Sequence, residues 1–155
     1  MFVKCELRFV ATVVVISALS LTCAYASASA LDDSPTALAT LQAKVDKAQP
    51  RDRCFLYAEL VSQMTELAGH QLNSGDSGQA SETLKLVQRY AEKIHMGVAD
   101  DSKRLKDAEV LMQRTSFRLK DILGEAPYED RQTLEATLKQ LNQVQAQLMT
   151  QVFKK

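Results

Sequence analysis

The chain has 155 residues, 46% of them hydrophobic, with 19 Lys and Arg against 19 Asp and Glu, two His, three Cys and no Trp. A formal charge of zero leaves no electrostatic case for nucleic acid or an anionic membrane surface. There is no C-x-x-C-H for covalent haem and no cluster of cysteines for zinc or iron–sulfur, so no cofactor is expected.

The chain starts with Lys4 and Arg8, an apolar run over 9–21 and the small-residue segment "TCAYASASA", the three-part form of a secretory signal peptide. A-x-A sites end at Ala26 and Ala30, so the mature chain is expected to begin at Ser27 or Leu31. The uncharged run is short for the roughly 20 residues a membrane span needs, which favours cleavage over a retained anchor. A lipid anchor on Cys23 lacks the leucine and small residue wanted just before it. The reading is a signal peptide over 1–30 and a single all-helical domain over 31–155, secreted or periplasmic, with no membrane span after cleavage. Residues 1–30 hold two of the basic and one of the acidic side chains, leaving 17 against 18. Cys5 and Cys23 leave with the signal. Cys54 then stands alone, an internal disulfide is excluded, and stability must come from apolar packing.

Ser34-Pro35 predicts a helix start, and Leu38, Leu41, Val45 and Ala48 follow at helical spacing until Pro50. A second helix over 51–72 carries Tyr57, Leu60, Val61, Met64, Leu67 and Ala68 on one face and stops at the turn "NSGDSG". From Leu84 the apolar positions step by three and four without slipping: Leu84, Val87, Ala91, Ile94, Val98, Asp101, Leu105, Ala108, Met112, Thr115, Leu119, Ile122. Because the phase continues across Gly97, the preferred reading is one long helix over 77–123, reaching roughly 70 Å, with helices 51–72 and 127–152 folded back against it. The alternative places a hinge at Gly97 and collapses the same pieces into a compact helical bundle. After "GEAP", Leu134, Leu138, Leu141, Leu148 and Val152 stripe the last helix, whose surface is rich in glutamine. The fold class is all-α, with about four helices.

Residues 64–92 resemble a single tetratricopeptide-type hairpin: Leu67 and Ala68, the Gly75-Asp76 turn, then Ala80 and Leu84. Gln71 and Glu92 stand where that family has an aromatic and a proline, and there is no second copy, so the likeness implies helix-hairpin packing rather than a repeat protein. The stretches "KRLKDAEVLMQRTSFRLKDIL" and "PYEDRQTLEATLKQLNQVQAQLMTQVF" resemble a group of exported, uncharacterised all-helical bacterial proteins, which implies a fold and no activity.

Candidate chemistry is sparse. Glu92-x-x-His95 with Glu66 and His70 has the spacing of a bundle metal site, yet all four fall outside the apolar stripes and read as solvated surface. His95 and Met96, adjacent on a helix, diverge by about 100 degrees and cannot chelate together. Cys54, beside Arg53 and near a helix start, has the setting of a lowered thiol pKa. Its place at the edge of an apolar stripe reads as a buried small hydrophobe, with an intermolecular disulfide or a nucleophile as the alternatives. The basic run over 103–120 is interleaved with acids and reads as a salt-bridged face. Val110 and Phe117, seven apart and away from the seam, form with Met96 a second, weaker apolar strip that either the first helix or a partner covers.

No nucleophile–base pair or phosphate loop is visible, so the sequence reads as non-enzymatic. It predicts an exported helical scaffold or interaction protein with a protein partner or self-association. The alternatives are a periplasmic stress or chaperone-like module and, third, a metal-binding helical bundle.

Overall fold

The computed structural model describes residues 35–96 and 104–154. The signal-peptide reading, Gly97 and the Ser34 cap therefore lie outside the described residues. Five helices are present, α1 (Pro35–Lys47), α2 (Pro50–Asn73), α3 (Ser77–Met96), α4 (Leu105–Glu125) and α5 (Tyr128–Phe153), and no strand occurs among the described residues.

Local chemistry sets most of these boundaries. Pro50 opens α2, where its missing N–H costs nothing and its fixed φ suits the first turn, and Asp52 complements the helix dipole there. At the other end, Asp76 N–H donates to Gln71 C=O at 2.8 Å and Gly75 N–H to Leu72 C=O at 3.0 Å. This closing turn needs a left-handed residue, which Gly75 supplies at φ 84°. The break between α1 and α2 is tied by Arg53, whose Nε donates to Ala48 C=O at 2.9 Å. Thr65, Thr115 and Thr137 are buried within helices, and each hydroxyl is satisfied by the carbonyl four residues back.

Side-chain contacts fix the direction of each helix. Thr83 Oγ1 donates to Gln71 Oε1 and Tyr57 stacks on Tyr90 with ring centroids 6.1 Å apart, so α2 and α3 are antiparallel. Phe55 lies against Arg104, and Arg118 reaches Glu66, so α4 runs parallel to α2. Ser77 bonds Asp130, and Gln140 Nε2 donates to Gln88 C=O, so α5 runs parallel to α3. Gln145 meets Glu109, so α4 and α5 are antiparallel. The result is a four-helix bundle with ring order α2, α3, α5, α4; the diagonal pairs α3/α4 and α2/α5 make no close backbone approach among the described residues. Among the described helices, α1 makes a close backbone approach to α2 only.

This arrangement corrects the expectation of one continuous helix over 77–123. Helices α3 and α4 run antiparallel to each other instead of continuing as one rod, and each lays its seam against the same two helices, α2 and α5. The stripe itself is buried as expected: Leu84, Val87, Ala91 and Ile94 on α3, and Leu105, Ala108, Met112, Thr115, Leu119 and Ile122 on α4. Its positions 98 and 101 lie outside the described residues. The core is completed by Leu60, Val61 and Ala68 from α2 and by Leu134, Leu141, Val144 and Leu148 from α5. At Gly69 the helices α2 and α4 approach so closely that an added Cβ would stand 2.9 Å from Ile122 Cδ1.

Candidate functional site

The residues singled out for chemistry are dispersed. Glu66 is half-buried and accepts from Arg118 Nε at 2.9 and 3.2 Å, an ion pair between α2 and α4 that raises the arginine's pKa through hydrogen bonding and charge. His70 is exposed on the last turn of α2, and Glu92 is exposed on α3 beside α5. The His95 side chain lies outside the description. No three His, Cys, Asp or Glu residues stand together in a form that could hold a metal ion among the described residues.

Cys54 is fully buried. This agrees with the reading of a buried small hydrophobe, and the alternative of a lowered thiol pKa is corrected: burial pushes it up to about 11 by desolvating the thiolate. Arg53 cannot help, being turned to the carbonyl of Ala48.

Val110 and Phe117 do not share one groove. Val110 is half-buried and lines an open cleft of about 600 Å³ between α2 and α4, with Phe55, Glu59, Lys106 and Arg114. Phe117 is 61% exposed and lines a smaller cleft of about 210 Å³ between α4 and α5, with Ser116, Leu138 and Asn142. The Met96 side chain lies outside the described residues. Helix α1 makes no backbone contact with α4, so the first helix does not cover either residue. In the small cleft the Ser116 hydroxyl, on a residue 6% exposed, has no hydrogen-bond partner, although a buried hydroxyl ordinarily finds one.

Of the clearest surface feature, the sequence singles out only Phe117. Among the described residues the exposed large apolar side chains are Phe117, Tyr128, Met149 and Phe153, at 61%, 92%, 42% and 81% exposure. Three of them stand on the outer face of α5 and the fourth on α4 beside that helix. Between Tyr128 and Met149 the outer face is polar, and a shallow depression of about 500 Å³ lies on α5 alone, lined by Glu135, Leu138, Lys139, Asn142, Gln143 and Ala146. Scattered apolar side chains are ordinary on a protein surface; here all four lie on the α4 and α5 side of the bundle. No described helix is long and apolar enough to cross a membrane. Compared with protein families, with curated proteins and with solved structures, the chain matches none.

Proposed function

We propose that this chain is an exported, non-enzymatic interaction protein whose helical bundle serves as a rigid support for a docking face on α4 and α5. The observation that carries the reading is the one-sided distribution of exposed apolar side chains, Phe117, Tyr128, Met149 and Phe153. The outer side of α2, by contrast, is dressed by α1. Export rests on the charged, apolar and small-residue segments of the first thirty residues.

A photo-reactive phenylalanine analogue placed in the living cell tests the docking face. At positions 117, 149 and 153 it should yield covalent protein adducts, and at Glu82, exposed on α3, it should yield none. Equal labelling at all four positions, or none at any, removes the reading. Export is tested separately by sequencing the N-terminus of the protein recovered outside the cytoplasm, expected to begin at Ser27 or Leu31.

A further inference from the structure

We infer that the partner of the outer face of α5 is α5 of a second copy of this chain, laid antiparallel about a two-fold axis. The inference rests on the docking-face reading and names its occupant. Its basis is the outer stripe of α5, opposite the seam that faces the core, with exposed apolar side chains at its two ends and polar ones between. The inner seam is Leu134, Thr137, Leu141, Val144 and Leu148. Outside it, stepping alternately by four and three from Tyr128 to Phe153, lies a stripe whose every member is exposed. Spacing of three and four is what keeps one face of a helix turned toward a helical partner.

The order of residues along that stripe is self-complementary when reversed. An antiparallel pair of helices matches the first position of one stripe with the last position of the other. Tyr128 then meets Phe153 of the second copy, and Gln132 meets Met149, so both ends of the seam close on an aromatic pair and the glutamine stem covers the thioether. Further in, Glu135 faces Ala146, whose small side chain leaves the carboxylate in water, and Lys139 faces the acceptor amide of Asn142. Parallel pairing would instead set Lys139 against Lys139 and Glu135 against Glu135, like charges in one layer. Charge therefore selects the antiparallel form.

The surface already has the required relief. The depression on α5 is lined by Glu135, Leu138, Lys139 and Asn142 and by Lys139, Asn142, Gln143 and Ala146. These are two successive sets of four residues, each the kind of hole into which a partner side chain inserts, and they sit at the middle of the stripe. Phe117 flanks this region across the cleft that it shares with Leu138 and Asn142, so the second copy's helix covers it as well. The 26-residue helix is roughly 39 Å long, and two faces about 11 Å wide amount to on the order of 1,000 Å². That is near the lower limit for a specific interface, so the pairing is expected to be reversible, with a Kd on the order of 1–100 µM.

Sedimentation of the full chain over a concentration series reads the association, and cysteine pairing reads its direction. The expected result is a monomer–dimer equilibrium whose Kd rises at least tenfold in Phe153→Ser, a change at a position 81% exposed, with the circular dichroism spectrum unchanged. A mixture of Gln132→Cys and Met149→Cys chains should form the 132–149 disulfide, while Gln132→Cys alone, about 25 Å from its copy in the antiparallel pair, should not cross-link to itself. A chain that stays monomeric, an association unaffected by Phe153→Ser, or a 132–132 disulfide overturns the inference. If the chain is monomeric yet still forms adducts with other proteins at positions 117 and 153, self-pairing fails and the docking-face reading survives. If those adducts are also absent, both fail.

Discussion

Helices α2 and α5 occupy diagonal corners of the same bundle and are of similar length, yet they meet solvent differently. Each lays an inner face against α3 and α4. Helix α2 has a third neighbour: α1 folds over it and buries Leu41 and Val45. Helix α5 has only two among the described helices, and its outer face ends in Tyr128 at one extremity and Phe153 at the other. A bundle of four helices needs only one stripe per helix to fold. On α2 the apolar residues outside the bundle core are met by α1, whereas those on the outer face of α5 meet no described helix.

The sharpest way to test this contrast is within α5 itself. Leu141 is fully buried, so Leu141→Ala should destabilise by about 2–5 kcal/mol in urea unfolding, through lost burial and the cavity left behind. Met149→Ser, eight residues on but on the outer stripe, should change monomer stability by no more than about 0.5 kcal/mol. A comparable loss in both would show that the outer stripe belongs to the core after all.

The next effect isolates α2. Buried Cys54 keeps its proton up to about pH 11 in the folded chain, whereas an unfolded thiol releases it from about pH 9. Within that window the unfolded state binds fewer protons, so stability present below pH 9 is lost as pH rises, by about 2–3 kcal/mol at the top. Tyr90, its pKa raised first by burial and then by Asp46, acts in the same direction above its ordinary range. Unfolding midpoints measured from pH 8 to 11 should fall for the parent chain and fall less for Cys54→Ala, which keeps the fold at a cost of about 1 kcal/mol.

Trimming the cover on α2 should have a smaller, local effect. Val45→Ala is expected to cost about 1–2 kcal/mol, and amide exchange should quicken in α1 while α5 is unaffected. If α5 exchanges faster too, α1 is part of the cooperative core rather than a cover. Smallest of all is Glu66→Gln. It breaks the ion pair with Arg118, whose side chains are 31% and 45% exposed, and solvent screening should hold the loss below about 1 kcal/mol in thermal unfolding.

The sequence made the helix ends legible where proline and glycine punctuate them. The expected spans 51–72 and 127–152 lie within a residue of Pro50–Asn73 and Tyr128–Phe153. The buried stripes were legible for the same reason, since an apolar period of three and four reports which face leaves water. It does not report what lies against that face. The unbroken phase from Leu84 to Ile122 suggests a rod, whereas α3 and α4 are two antiparallel helices, each with its own seam on α2 and α5; the period shows which side is buried and not which way the chain runs. The outer stripe of α5 escaped notice because its middle is Gln132, Glu135, Lys139 and Asn142, residues that a hydrophobicity pattern reads as plain solvent face. Val110 and Phe117, read as one strip from their spacing of seven, lean into separate clefts, since α4 lies between two neighbours.

The hydrogen bond between Ser77 and Asp130, 2.8 Å long, has an electrostatic side as well. With α3 and α5 parallel and adjacent, the positive poles of two helix macrodipoles stand next to each other at one end of the bundle. Helix α3 carries no acidic residue in its first turn, whereas α5 carries Glu129 and Asp130. The Asp130 carboxylate, reached by the hydroxyl of Ser77, thus adds to Glu129 as counter-charge beside both helix starts and offsets part of the repulsion that parallel neighbours bring.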